Sequence, residues 1–160
     1  MRMNKVDVNV EGVPLPGWSG RMCEYAVKVI NEIGHEDWVL SVLLCDDKTI
    51  TELNAQYRNK PEATDILSFS LGVEDEDEEG TYYLPGDIVI SLETLRENAQ
   101  YFQISEDEEL RRLIIHGILH LDGMEHETND KTEPMLVLQE EILNRLGSEH
   151  IITPDGGIKQ

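Results

Sequence analysis

Cysteine is nearly absent: Cys23 and Cys45 are the two cysteines in 160 residues. They lack CxxC spacing, which argues against a disulfide framework or a thiolate metal site and leaves them as small apolar side chains. No run approaches the ~20 consecutive apolar residues of a membrane span, and the opening MRMNKVDVNVEG has no apolar core of a secretion signal. A soluble cytoplasmic protein with no membrane partner is expected. Basic residues are also few, 13 Lys and Arg against 33 Asp and Glu, for a net charge of −20. Removing the six charges of Glu74 to Glu79 still leaves −14. Such a surface repels free nucleic acid, and DNA is not an expected partner. Any polyanionic substrate must meet a local cationic patch or be delivered by a partner.

The length suits one domain, with no repeat or linker to divide it. Val6 to Val10 alternates as a short strand, and a Pro14 to Gly17 turn leads into a helix from about Ser19 to Ile33. Trp38 to Cys45 is the most strand-like segment. A helix starting within Asp46 to Thr49 should place Ile50, Leu53 and Tyr57 on one face and end near Arg58. Ile66 to Leu71 reads as a strand and Glu74 to Glu79 as a solvated loop. Tyr82 to Ile90 reads as a strand interrupted at Pro85 and Gly86. Ser91 can cap a helix to about Phe102, and Ser105 with Glu108 forms a capping box for the next. Thr132 can cap a last helix to Leu146, with Met135, Leu138, Ile142 and Leu146 inward and Gly147 ending it. These elements predict a single α+β domain over residues 1–147, a small mixed sheet packed with about five helices. The tail 148–160 is expected to be loosely ordered.

Three of the five histidines fall in HGILHLDGMEH, at His116, His120 and His126. A helix over Leu110 to Leu121 stacks His116 and His120 one turn apart on one face. Gly123 can adopt the left-handed conformation that closes a helix, turning the chain so that His126 reaches the same point. Leu113, Ile114, Ile115, Ile118, Leu119 and Leu121 make this helix apolar nearly all round, hence buried, and buried imidazoles need partners. Three converging imidazoles with one position open match a catalytic zinc site. The spacing HxxxHxxGxxH is shared with metzincin peptidases, which carry a glutamate base directly after the first histidine. Here Gly117 stands there, either leaving space over the metal or permitting close helix packing.

Arg58 and Lys60, in YRNKPEATDILSFS, stand out in an acidic chain. A fixed guanidinium suits a phosphate oxygen; solvated cations balancing nearby carboxylates are the plainer account. Asp65 and Asp87 both follow turn-forming neighbours and read as turn or cap residues. Asp122 and Glu125 are candidate bases by adjacency alone.

Taken together, HGILHLDGMEH, TDILSF after YRNK, LPGDIVIS, and a closing helix with Met135, Glu140, Glu141 and Ile142 resemble the bacterial YbeY-type endoribonucleases. The resemblance covers most of the chain. It implies that His116, His120 and His126 bind zinc, one per chain, or another divalent transition metal, and that Arg58 is needed for activity. It also implies cleavage of single-stranded RNA, processing of small-subunit rRNA, ribosome quality control with ribosomal particles or their proteins as partners, and a cytoplasmic location. The chain departs from the family pattern at Lys60-Pro61-Glu62-Ala63-Thr64, where a lysine-aspartate pair usually precedes proline-threonine. It also carries Glu125 where aspartate is usual. Attack by metal-activated water and attack by the ribose 2′-hydroxyl both stay open. Two alternatives stand beside this reading: a metallopeptidase, and a ribosome-associated assembly factor with a mainly structural zinc.

Overall fold

The computed structural model describes residues 2–153. Four strands, β1 (Lys5–Glu11), β2 (Val39–Cys45), β3 (Ile66–Asp77) and β4 (Gly80–Ser91), form one mixed sheet in the order β1-β2-β4-β3. β1, β2 and β4 run parallel, and β3 lies antiparallel to β4 at the edge. Five helices surround it: α1 (Ser19–Glu32), α2 (Asp47–Arg58), α3 (Leu92–Phe102), α4 (Glu106–Leu121) and α5 (Pro134–Arg145). This is the expected α+β architecture. Among the described residues, no helix is long and apolar enough to cross a membrane.

The period-two pattern of the strands divides the core. Leu40, Val42, Leu44, Ile88 and Ile90 face α1 and α4, meeting Ala26, Val29 and Ile30 on one and Ile114 and Ile118 on the other. The opposite face is covered over part of its area by α2, where Cys45, Leu67 and Val89 pack with Ile50 and Leu53. Helix α4 is buried along most of its length, and each aliphatic side chain so removed from water contributes about 1.5–3 kcal/mol. Its start is fixed as expected by Ser105, whose hydroxyl accepts the Glu108 N–H at 3.0 Å. The other half of the capping box does not form, because the Glu108 carboxylate turns to Arg112 at 2.9 Å.

Four local expectations are corrected. The acidic run is not a loop: β3 continues through Asp77, opposite Tyr83, Tyr82 and Thr81. Aromatic and β-branched partners favour pairing, and the carboxylates stay in solvent. Arg2 grips Asp77 with two bonds of 2.7 and 2.8 Å and holds its carboxyl down to about 2. The strand through Pro85 and Gly86 is likewise continuous, with the irregularity absorbed by a bulge between Ser70 and Val73. The last helix begins at Pro134, not after a Thr132 cap: Thr132 gives its N–H and hydroxyl to Asp130 at 2.9 and 2.8 Å instead. Tyr57, expected on the apolar face of α2, is 60% exposed.

The tail is also better held than expected from Ser148 onward. Ile151 is fully buried, and the N–H groups of Ile151 and Ile152 donate to Asp107 Oδ1 at 2.7 and 2.8 Å. Burial would raise the Asp107 carboxyl, but bonds from His150, these two amides and Arg111 outweigh it and hold it below the usual range. Residues 154–160, the rest of that tail, lie outside the described residues.

Candidate metal centre

Helix α4 ends in a turn that sets two of the three histidines. Gly123, at φ +92°, lets its own N–H reach His120 O and the Met124 N–H reach Leu119 O, both at 3.0 Å. This is the paired bonding of a glycine-terminated helix. The same turn aims the Met124 carbonyl at His120 Nδ1, 3.0 Å away. The chain then doubles back, and His126 Nδ1 lies 2.8 Å from Thr128 O. His116 Nδ1 lies 2.7 Å from Oε1 of Gln139 on α5. That amide is oriented by its other end, where Nε2 donates to Glu140 at 3.2 Å.

These partners settle the tautomers. An amide or backbone oxygen only accepts, so each Nδ1 carries the proton and each Nε2 is left with a bare lone pair. The Nε2 atoms of His116 and His120 face each other at 3.1 Å, a repulsive meeting unless something positive lies between them. Ligand atoms of all three residues lie within 4.8 Å of one another. Tetrahedral zinc with bonds of ~2.0–2.1 Å asks for nitrogens about 3.3 Å apart, so the donor set fits a divalent transition metal. Burial pushes the pKa of His116 down, and nearby His126 adds to this while the Gln139 bond opposes it. Burial does the same to His120, helped by His116. Neutral imidazoles are the form that binds metal.

Gly117 lies against the sheet. A Cβ there would stand 2.9 Å from Ile88 Cδ1 and 3.0 Å from Ile66 Cδ1. Of the two accounts of this glycine, close helix packing is therefore the one the structure supports. The contact also seats the turn carrying His116 and His120 tightly on β3 and β4.

Arg58 ends α2 and reaches the same place from the other side of β3. Its Nη2 donates to Ser68 O at 2.6 Å, and it lines a cleft of about 410 Å³ with Ser68, Ser70, His116, His120 and Glu125. The loop that departs from the family pattern is tied back to α2 by buried Asn54, whose Nδ2 donates to Glu62 O at 3.0 Å. A second cleft on the other flank of His116 contains His126, Asp65, Glu109 and Arg112. Asp65 thus does more than end a turn. It accepts from Asn98 at 3.2 Å, and its charge favours the protonated form of His116. Asp122 is drawn away to His35, 2.6 Å from its Nε2, while Glu125 remains at the cleft.

Sequence reasoning missed Gln139. A signal was present, because 139 falls four residues after Met135 and three before Ile142, on the inward face of α5 where a polar side chain requires a partner. It also missed Glu133, which accepts from the Thr128 hydroxyl at 2.9 Å and thereby steadies the loop bearing His126.

A family model described as Endoribonuclease YbeY matches residues 15–147. Curated relatives named Endoribonuclease YbeY include one from Treponema pallidum, 44% identical over 142 residues, covering 88% of this chain and 89% of the relative. One from Treponema denticola is 47% identical over 124 residues, covering 77% and 80%. One from Borreliella burgdorferi is 48% identical over 126 residues, covering 75% and 81%. Among solved structures, the solution structure of TM1509 from Thermotoga maritima aligns with a TM-score of 0.58 at 26% identity, covering 95% of this chain and 99% of that one.

Proposed function

The chain belongs to the YbeY endoribonuclease family, and on that premise we propose that it is a metal-dependent endoribonuclease acting on single-stranded RNA. The observation that carries the metal half of this reading is the convergence of ring nitrogens of His116, His120 and His126 within 4.8 Å of one another, with His116 and His120 lining the cleft that also holds Arg58. His116, His120 and His126 would hold the ion, zinc or another divalent transition metal. When bound, such an ion supplies Lewis acidity toward a phosphoryl oxygen or water.

The chain's own residues do the rest. Gln139, the Met124 carbonyl and the Thr128 carbonyl keep each imidazole in its ligating tautomer and orientation. Arg58, steadied on the Ser68 carbonyl, keeps further guanidinium donors for a phosphate oxygen and offsets charge that develops there. In a protein of net charge −20, a cation at the cleft sets where a phosphodiester can rest. Position 117, where a zinc peptidase of this histidine spacing carries its base, is glycine packed on Ile66 and Ile88, which weighs against the peptidase reading.

The natural substrate in this reading is small-subunit rRNA in the cytoplasm, presented on a ribosomal particle whose basic proteins complement the acidic surface, in rRNA processing and ribosome quality control. The test is cleavage of a single-stranded RNA by purified protein, after chelation and after zinc is restored. A duplex of the same sequence and casein serve as controls. Chelator-sensitive cutting of the single strand alone is expected. Casein cleavage lost in His120→Ala would favour the peptidase. If neither RNA nor ribosomal particles are cut, while His120→Ala binds the small subunit normally but melts earlier, the protein is an assembly factor with a structural metal.

A further inference from the structure

Strand β3 separates two surfaces. Side chains alternate along it, so Ile66 approaches Gly117 of α4 and Ser68 and Ser70 line the histidine cleft. Leu67 and Phe69 belong to the α2 side of the sheet. On that side the Phe69 ring meets the Tyr57 ring edge-on, with centroids 5.4 Å apart and planes at 65°. The guanidinium carbon of Arg58 lies 5.4 Å from the Phe69 centroid, while its Nη2 holds the Ser68 carbonyl. Arg58 therefore straddles the ridge, one group shared by the histidine cleft and an aromatic surface.

That surface is the floor of a hollow of about 620 Å³, left where α2 stops short of covering the sheet. Leu43, Leu53, Tyr57, Phe69 and Val89 supply its apolar part. Asn9, Ser41 and Asp87 supply polar groups, with Ser41, Asp87 and Phe69 in one cross-strand row. Among the described residues, those three polar side chains have no hydrogen-bond partner. An aliphatic side chain of a bound protein would leave them unpaired under cover. The edge of a nucleobase offers donors and acceptors to all three kinds of group, and its flat face suits an aromatic ring beside a guanidinium. Charge decides which part of a nucleotide goes where: the Asp87 carboxylate repels a phosphate from the hollow, whereas Arg58 attracts one to the ridge.

We propose that Tyr57 and Phe69 form a stacking shelf for an unpaired nucleobase of the RNA strand whose phosphate meets Arg58 and the histidine cleft, an inference that rests on the endoribonuclease reading. A base can reach the shelf only by leaving its duplex, so the shelf gives single-strand preference a structural origin. Since every base has a π face, stacking alone tolerates many sequences. The polar groups of Asn9, Ser41 and Asp87 favour bases with exposed N–H donors.

The experiment uses Tyr57, because it is 60% exposed and its replacement leaves the core intact. Tyr57→Leu should raise KM for a single-stranded oligonucleotide on the order of tenfold, the scale of one lost stacking contact. Its kcat, melting temperature and zinc content should stay at wild-type values. Tyr57→Phe should restore KM. Oligonucleotides each lacking one base then locate the contact: at one position, base removal should cost wild type as much as the tyrosine does. The Leu variant should lose nothing further on that RNA. A Tyr57→Leu enzyme with wild-type KM, or one whose loss adds to base removal at every position, would overturn the shelf while leaving the nuclease assignment standing. A wild-type protein that neither binds nor cuts the intact oligonucleotide would remove both.

Discussion

The Nδ1–H of His116 on α4 donates to Oε1 of Gln139 on α5 across 2.7 Å, so the orientation of an imidazole in the candidate metal site is set from a neighbouring helix. Gln139→Leu keeps the volume and removes the acceptor. Zinc affinity is expected to fall about 10–100-fold, the usual cost of losing such an orienting partner. Competition with a chromophoric chelator measures it, and unchanged affinity would show that the ring is held by packing alone.

The roles proposed for Arg58 and His120 separate chemistry from metal retention. Arg58→Ala should keep wild-type zinc content and lose about 10²–10³-fold in kcat on single-stranded RNA, the scale of one lost donor to developing charge. His120→Ala should lose both metal and activity. Elemental analysis beside a cleavage assay distinguishes them, and an Arg58→Ala enzyme at wild-type rate would remove that residue from the chemistry.

Burial lowers the pKa of both His116 and His120, and the sign of the pH effect follows. Above the unfolded-state value of ~6.5 the imidazoles are neutral whether folded or not, and their contribution to stability is complete. As pH falls from there toward the lowered folded-state values, the unfolded chain binds protons first and stability is lost. Metal-free protein should therefore show a urea midpoint that falls as pH drops below about 6.5, a trend weakened in His116→Ala. Zinc affinity should fall over the same range.

At Gly117, a bulkier side chain must displace Ile66 and Ile88. Gly117→Val is expected to destabilise by about 2–4 kcal/mol, since overpacking of about 1–3 kcal/mol adds to the poor fit of a β-branched residue in a helix. Gly117→Ala should cost roughly 1 kcal/mol or less, because better helix propensity offsets part of the strain. Denaturant titration gives both values, and a Val variant as stable as wild type would show that the helix is free to move off the sheet.

Ile151 sits fully buried beyond the last helix, with its carbonyl accepting from Arg21 Nε at 2.8 Å. Ile151→Ala should cost about 2–4 kcal/mol, as for other buried aliphatic truncations, and thermal or denaturant unfolding measures it. Ending the chain after Gly147 should cost at least as much, because it also strips the Asp107 carboxylate of its amide donors.

The histidine triad is legible in the sequence because its signals are local: a four-residue step on an apolar helix and a glycine turn three residues on. The class of fold and the helix starts at Asp46, Ser91 and Ser105 are legible for the same reason, since each cap bonds within its own turn. What escapes is set by distant partners. The acidic run reads as a loop because its pairing depends on Tyr82, Tyr83 and Arg2, none adjacent to it. Gln139 goes unnoticed because its reason is a ring on another helix. The tail from Ser148 gives no sign that Asp107 collects its amides. Tyr57 fits the apolar spacing of α2, yet the helix ends there without covering the sheet, and its ring borders an open hollow.

Strand β3 is one of the two edge strands of the sheet, and its distal half carries Glu74, Asp75, Glu76 and Asp77 in succession. An open edge of this kind is a template on which another polypeptide can add a strand. A second copy docking there would bring like carboxylates within a few ångströms of each other in a row, so each molecule rejects its own kind. Like charges in the acidic hairpin would oppose fibre growth along this edge. Because the charges are exposed, this opposition weakens as salt screens them, and self-association through this edge belongs to high ionic strength.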